Sequence, residues 1–454
     1  MILRALREAS VTMLAAIATL FCAQAIVPGP GSAILAVVLC LSLSRSHLDR
    51  DRRGRIEAAI ALPVVGLVAV GVGMLLHRAP WFGALVFVAG MFLSIWLRRF
   101  GPMARRAGSL IALPFVVLLT TPHIQAPPTG IVPAPLAPVL IALLALLWVS
   151  VLHALARRLH VLPPARTAKH QPAATEPARQ SSMRPIASTR MAIQMAVALT
   201  VAFVVGYVFF AERWAWIVLT AFIVISGNRG RLDVAYKSVL RVLGAAVGTL
   251  AALTLTVRLG SHDTATVLLI FGAIFFGLWL RPLGYGWWAL FVTLALALLQ
   301  GFSGAPAPHI LWPRLEEIVL GAIIGVASAW FVLPVRSTAA LRGRLADALA
   351  ALGTAVDPAT PERTPDDFVS ALAKVEEMAP AFRASRLVTR RFRALQPADW
   401  VDALLTCRDP AIALIEKAET PAKVRRAVGA ARKSLREPTE LLPALQQLQR
   451  SLAE

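Results

Sequence analysis

The sequence predicts an all-α polytopic membrane protein, with about 12 transmembrane helices as two parallel six-helix repeats and a cytoplasmic helical C-terminal region. Three observations predict it. Of 454 residues, 57% are hydrophobic and only 16% charged, whereas a soluble chain carries about 25% charged residues. Apolar runs of roughly 18 or more residues without charge recur, long enough to cross a bilayer. Finally, Trp96-Leu97-Arg98-Arg99-Phe100-Gly101 returns as Trp279-Leu280-Arg281-Pro282-Leu283-Gly284, 183 positions later, with Phe92 and Phe275 four residues before each Trp.

The repeat extends beyond that pattern. At a shift of 182, Met13 meets Met195, Phe21 meets Phe203, Ser44 meets Ser226 and Gly66 meets Gly248. One inserted residue reconciles the two shifts. The first half reads as spans at roughly 9–27, 31–45, 57–76, 80–97, 107–121 and 135–155. The second reads as roughly 190–210, 214–227, 238–257, 264–280, 286–303 and 315–334. The domains are therefore 1–155, a linker at 156–189, 190–334, and a helical region at 335–454. Arg4, Arg7 and Ala23-Gln24-Ala25 outline a signal peptide. A second apolar run follows at once and the segment has a counterpart in the second half, so it is expected to be the first transmembrane helix.

Charge orients the spans. With a cytoplasmic N-terminus, the inner loops hold Arg45, Arg50, Arg52, Arg53, Arg55, Arg98, Arg99, Arg105, Arg106, Arg229, Arg231, Lys237, Arg241 and Arg281. The outer loops hold Arg78, Arg213, Arg258 and Arg314. That asymmetry favours cytoplasmic N- and C-termini and accounts for most of the net charge of +21. Each half has an even number of spans, so the repeats are parallel. Residues 156–189 are polar and rich in Pro, Ala and Arg, a cytoplasmic linker. The Pro-rich stretch at Pro127, Pro128, Pro133 and Pro135 is an outer loop. From 335, Leu341, Leu345, Ala348 and Leu349 follow helical spacing. The cluster Arg383, Arg386, Arg390, Arg391 and Arg393 reads either as a contact for anionic lipid heads or as a solvated helix face.

Ionisable groups within spans are expensive and mark candidate function. Arg98 and Arg281 occupy equivalent inner ends of the fourth spans beside Trp96 and Trp279. Either they draw an organic anion into a cytoplasmic vestibule, or they are interfacial stop signals. Glu316 and Glu317 start the last span. One of them carries a coupling proton, or both answer a helix dipole. Gly321-x-x-x-Gly325 follows and permits close helix packing. Glu212 and Arg213 form a tight outer turn matching Pro28-Gly29-Pro30-Gly31 in the first half. Both turns precede unusually short spans, a pointer to a transporter's binding site. Phe271, Phe275, Phe276, Trp279, Tyr285, Trp287 and Trp288 offer stacking surface for a planar substrate, or form an interfacial belt.

Other chemistries find no support. There is no Gly-x-x-x-x-Gly-Lys-Ser/Thr for ATP hydrolysis. The three cysteines, Cys22, Cys40 and Cys407, and the scattered histidines lack metal-ligand spacing. No nucleophile–base or acid cluster is present. The chain is expected to be no enzyme, with no catalytic residue, no cofactor, no metal and no nucleic-acid partner.

Arg241-Val-Leu-Gly244-x-x-x-Gly248-Thr249 and Arg314-Leu-Glu-Glu-Ile-Val-Leu-Gly321-x-x-x-Gly325, in a chain of two six-span halves, resemble the fusaric acid resistance family, which includes bacterial aromatic acid exporters. The resemblance covers roughly residues 1–335. The first half departs from it, having Arg55 and Gly66 without the Arg-x-x-Gly step. The resemblance implies a bacterial inner membrane, efflux of aromatic or other hydrophobic carboxylic acids, and in some members a periplasmic adaptor protein.

The expected function is export of amphipathic organic anions across the inner membrane, driven by the proton gradient. The expected pathway comprises Arg98, Arg281, Trp96, Trp279, Glu212, Glu316 and Glu317. The partners are the lipid bilayer, an organic anion substrate, a periplasmic adaptor and further copies of the chain. The alternative is a non-transporting scaffold whose cytoplasmic helices recruit an envelope enzyme.

Overall fold

The structure, a computed structural model, describes residues 2–46, 52–100, 104, 108, 119, 136–162, 187–210, 213–256, 263–302, 307–360, 363–392, 396–417 and 421–453. Among them every regular element is a helix. Seven are long and apolar enough to cross a membrane, and three more are shorter and apolar. The chain is a multi-pass helical membrane protein. Most of the fifth span expected in the first half, most of the linker and the Pro-rich outer loop fall outside the described residues.

Two compact units divide the chain. One comprises 1–226 and 237–333, the other 227–236 and 334–454. In the first unit the elements are α1 (Ile2–Ile26), α2 (Pro30–Ser46), α3 (Arg52–Arg78), α4 (Pro80–Trp96) and α5 (Ala137–Arg158). They continue as α6 (Ala187–Phe209), α7 (Trp214–Ile225), α8 (Arg231–Thr256), α9 (Thr264–Leu280), α10 (Tyr285–Phe302) and α11 (Ala307–Phe331).

Local chemistry sets several boundaries. Pro80 starts α4, where its missing N–H costs nothing. Asp263 caps α9 by accepting from the Ala265 amide at 3.1 Å. In the turn between α1 and α2, the Gln24 side chain both donates to the Gly29 carbonyl at 2.7 Å and accepts from its amide at 3.1 Å. Both Trp-Leu-Arg copies end their helix in a 3-10 turn, at Leu97–Phe100 and at Arg281–Leu283. In the second copy Gly284 follows at φ 156°, a conformation that favours glycine.

Packing repeats between the halves. Helix α1 lies against α2 and α5, while α6 lies against α7 and α11. Each first helix also packs on the other half's fourth: α1 on α9, and α6 on α4. Trp279 donates to the Ile2 carbonyl at 3.3 Å in the first of these contacts. After α5, His160 takes φ 57°, and after α11, Leu333 takes φ 44°. Arg7 donates to the Val161 carbonyl at 3.5 Å. Arg190 donates to the Leu333 carbonyl at 3.2 and 3.0 Å, and Gln194 donates to the Val332 carbonyl at 2.9 Å. Arg7, Arg190 and Gln194 thus donate to carbonyls just past the C-termini of α5 and α11.

The second unit contains α12 (Ser337–Ala355), α13 (Asp366–Glu376), α14 (Ala379–Thr389), α15 (Pro397–Thr406), α16 (Arg408–Glu416), α17 (Ala422–Ser434) and α18 (Pro438–Ala453). The spacing expected at Leu341, Leu345, Ala348 and Leu349 is realised, since all four are buried in one core with Phe368, Trp400, Val401, Leu441 and Leu445. Residues 227–236 belong to this unit. Arg229 pairs with Glu377 at 2.6 Å, and Ser337 Oγ accepts from the Leu232 amide at 2.9 Å.

Candidate functional site

Two small-residue faces bring helices of the second half close together. On α11, Arg314, Glu317, Gly321 and Gly325 recur at helical spacing and so share one face. A Cβ at Gly321 would stand 2.6 Å from the Ile217 carbonyl oxygen and 2.8 Å from Thr220 Cβ; one at Gly325 would stand 2.8 Å from Val224 Cγ1. Only glycine permits this approach of α11 to α7. The contacts advance together along both helices, so α7 and α11 run parallel. On α8, Arg241, Gly244 and Gly248 likewise share a face. A Cβ at Gly244 would meet Ala289 Cβ at 2.8 Å, and one at Gly248 the Leu290 carbonyl oxygen at 2.5 Å. Helix α8 is thereby held against α10.

These faces bury charge. Arg314 is 1% exposed, Arg241 2% and Glu317 0%. The Arg314 guanidinium lies 3.9 Å from the centre of the Trp216 ring, a cation–π contact from α7. Arg213, at the start of α7, pairs with Glu317 at 3.2 Å. Arg241 donates to Thr293 Oγ1 on α10 at 3.3 Å. Arg241 lies within electrostatic range of Arg314, and Arg314 and Glu316 within range of Glu317. Arg241 Nε, Glu317 Oε2 and Thr220 Oγ1 have no hydrogen-bond partner among the described residues. Buried polar atoms ordinarily find partners, so these donors and acceptors suit a polar ligand group. Arg213 and Arg314 both lie within electrostatic range of the Glu317 carboxylate. An apolar groove of about 580 Å³ between α8 and α11 is lined by Val242, Leu243, Ala322, Ile323 and Trp330 among others.

The residues singled out from the sequence are distributed unevenly. Glu317 is in the cluster. Glu316 beside it is exposed. Helix α11 begins at Ala307, which puts Glu317 in its third turn, beyond the reach of the helix dipole. Arg98 and Arg281 are both exposed, in the two 3-10 turns. Arg99 stacks over Trp96, at 4.7 Å. Trp279 is held by its bond to Ile2. Glu212 lies outside the described residues. The aromatic set on α9 and α10 forms a ladder, with Phe276–Phe291 at 5.8 Å and Trp287–Phe291 at 6.4 Å. Phe276 and Trp287 are exposed on it. Among the described residues no group of three His, Cys, Asp or Glu could hold a metal ion.

Sequence reasoning missed Arg241 and Arg314 as site residues, placing both in loops. The structure corrects this: Arg241 lies ten residues into α8 and Arg314 seven into α11. Hydropathy ends a span at its first charge, whereas helical hydrogen bonding continues through it. The usable signal was the face each arginine shares with two glycines.

The family model described as fusaric acid resistance protein-like matches residues 197–328, a segment that contains every member of the buried cluster. Two curated relatives are named p-hydroxybenzoic acid efflux pump subunit AaeB. The one from Enterobacter cloacae subsp. cloacae is 29% identical over 152 residues, covering 31% of this chain and 23% of the relative. The one from Citrobacter koseri is 28% identical over 151 residues, covering 30% and 23%. The match therefore spans less than a quarter of those proteins. No solved structure matches. The resemblance read in the sequence stands over the second half of the chain.

Proposed function

We propose that this chain is an inner-membrane efflux transporter for aromatic or other amphipathic organic acids, driven by the proton gradient. The observation that carries the reading is Arg314, buried against Trp216 beside Glu317, within the segment that matches the exporter family. A substrate carboxylate pairs with the guanidinium fork, and its ring stacks at the indole. The apolar groove between α8 and α11 receives the hydrophobic part of the substrate.

Glu317 is the proton carrier in this scheme. It is the one buried carboxylate among the described residues of the membrane unit. It competes with the substrate carboxylate for the same cations, so protonation from one side and anion loading from the other alternate. Arg98 and Arg281 line the cytoplasmic entrance and raise the local concentration of anions there. The termini are cytoplasmic, the halves are related as parallel repeats, and an adaptor or further copies of the chain complete the export path. The shared packing of α1 on α9 and α6 on α4 supports the duplication.

The test is efflux of radiolabelled p-hydroxybenzoate from cells carrying the intact protein or Arg314→Ala or Arg314→Lys variants, with membrane abundance matched. Transport is expected to fall at least tenfold with alanine and partly to survive with lysine. Equal efflux with and without the chain, over a broad panel of aromatic acids, would overturn the proposal.

A further inference from the structure

The basic cluster on α14 is two different things in three dimensions. Arg383 pairs with Asp402 at 2.7 Å. Arg386 pairs with Asp399 at 2.6 Å and with Asp402 at 2.9 Å. These two arginines clamp α14 to α15, and the carboxylates raise the affinity of Arg386 for its proton. One turn further on, Arg390 and Arg391 are exposed with no acidic partner among the described residues. Between and beside them stand Leu387 at 85% exposure, Val388 at 74% and Phe392 at 85%.

This tip is built, not frayed. Gln396 donates to the Thr389 carbonyl at 3.3 Å, and Thr389 Oγ1 bonds Gln396 Oε1 at 3.2 Å. The Phe392 amide donates to the Thr389 carbonyl at 2.9 Å. The inner face of the same helix, Ala379 and Phe382, is buried in the unit's core. Three large apolar side chains are therefore held outward at one corner, flanked by two cations without acid partners. In water that arrangement is unfavourable.

We propose that this corner inserts into the headgroup region of an anionic lipid bilayer and anchors the helical unit there. Charge complementarity selects this occupant. Arginines attract anionic lipid heads, and apolar side chains between them enter the acyl boundary. Tethering supplies the surface. Helix α12 begins at Ser337, a few residues after α11 ends at Phe331, so the chain tethers the helical unit to the membrane unit.

The test uses the full chain in nanodiscs of neutral phosphatidylcholine or with an anionic phosphatidylglycerol fraction. Val388→Cys carries an environment-sensitive fluorophore, with protein lacking that cysteine as the labelling blank. In anionic discs, access of an aqueous quencher is expected to fall at least threefold and emission to shift to the blue. Arg390→Glu with Arg391→Glu is expected to abolish both effects. Equal quencher access in the two kinds of disc would overturn the proposal. So would protection that persists in neutral discs and grows with protein concentration, which marks a second copy as the occupant.

Discussion

Glu317→Gln separates charge from shape at the buried cluster. The two side chains are nearly isosteric, so the packing of α11 on α7 is retained. The carboxylate lies 3.2 Å from Arg213 Nε, where two unit charges attract by about 5 kcal/mol at an effective dielectric constant near 20. Arg213 is 44% exposed, and solvent reduces the stabilising part to about 1–2 kcal/mol. Substrate binding responds with the opposite sign. For a substrate carboxylate placed on Arg314 at about 6 Å from Glu317, a repulsion of roughly 2–3 kcal/mol is removed by the substitution. After screening, about 1.4 kcal/mol remains, a tenfold gain in affinity. The assay is equilibrium binding of labelled p-hydroxybenzoate to the purified full chain at several pH values. It is paired with uphill transport and with substrate exchange in vesicles, and thermal unfolding is measured alongside. Binding is expected to tighten about tenfold and lose its dependence on pH. Uphill transport is expected to vanish while exchange survives. Weaker binding in a protein of unchanged melting temperature, or uphill transport that keeps its pH dependence, would refute the assignment of Glu317 as the coupling group.

Three further outcomes follow from the packing. Gly321→Ile drives a Cβ to within 2.6 Å of the Ile217 carbonyl oxygen and is expected to cost about 1–3 kcal/mol or more. Gly71→Ala, with nothing within 4 Å, is expected to be tolerated; equal melting temperatures for the two variants would contradict the close-approach argument. Arg190→Ala removes two of three hydrogen bonds to the Leu333 carbonyl, leaving that of Gln194 at 3.3 Å, and is expected to cost about 1 kcal/mol, visible as lower resistance of the α11 C-terminus to proteolysis. Cys407 is buried in the helical unit, and burial pushes its thiol up from 9.0 to about 11. At pH 8 its alkylation is expected to be at least about 100-fold slower in the folded than in the denatured protein. Because the thiol titrates earlier when unfolded, the same shift removes stability as pH rises from about 9 to about 11.

Much of the fold was legible because its signals are local and periodic. Apolar runs, the Trp-Leu-Arg pattern and the Gly-x-x-x-Gly steps each lie within one segment, and among the described residues helices or 3-10 turns occupy them. The site was less legible. Glu317 was selected, but as one of two adjacent acids, and only burial separates it from Glu316. Arg98 and Arg281 drew attention by their symmetry, while Arg241 and Arg314 were taken for loop charges. A charge inside a helix looks the same in sequence as a charge that ends one. Partners decide the difference, and Trp216, Thr293 and Arg213 lie between 52 and 104 positions from the residues they meet.

The Trp-Leu-Arg motif shows the division of labour. Sequence alone determined that the chain is apolar enough to cross a membrane repeatedly, that a Trp-Leu-Arg pattern recurs in it, and where small residues let helices meet, because hydrophobicity and spacing are properties of the chain itself. Tertiary structure decided which charges are buried, which two arginines of the α14 cluster are neutralised by acids, and that Arg314 lies on Trp216. Those outcomes depend on which helices become neighbours, and desolvation acts only where neighbours exclude water.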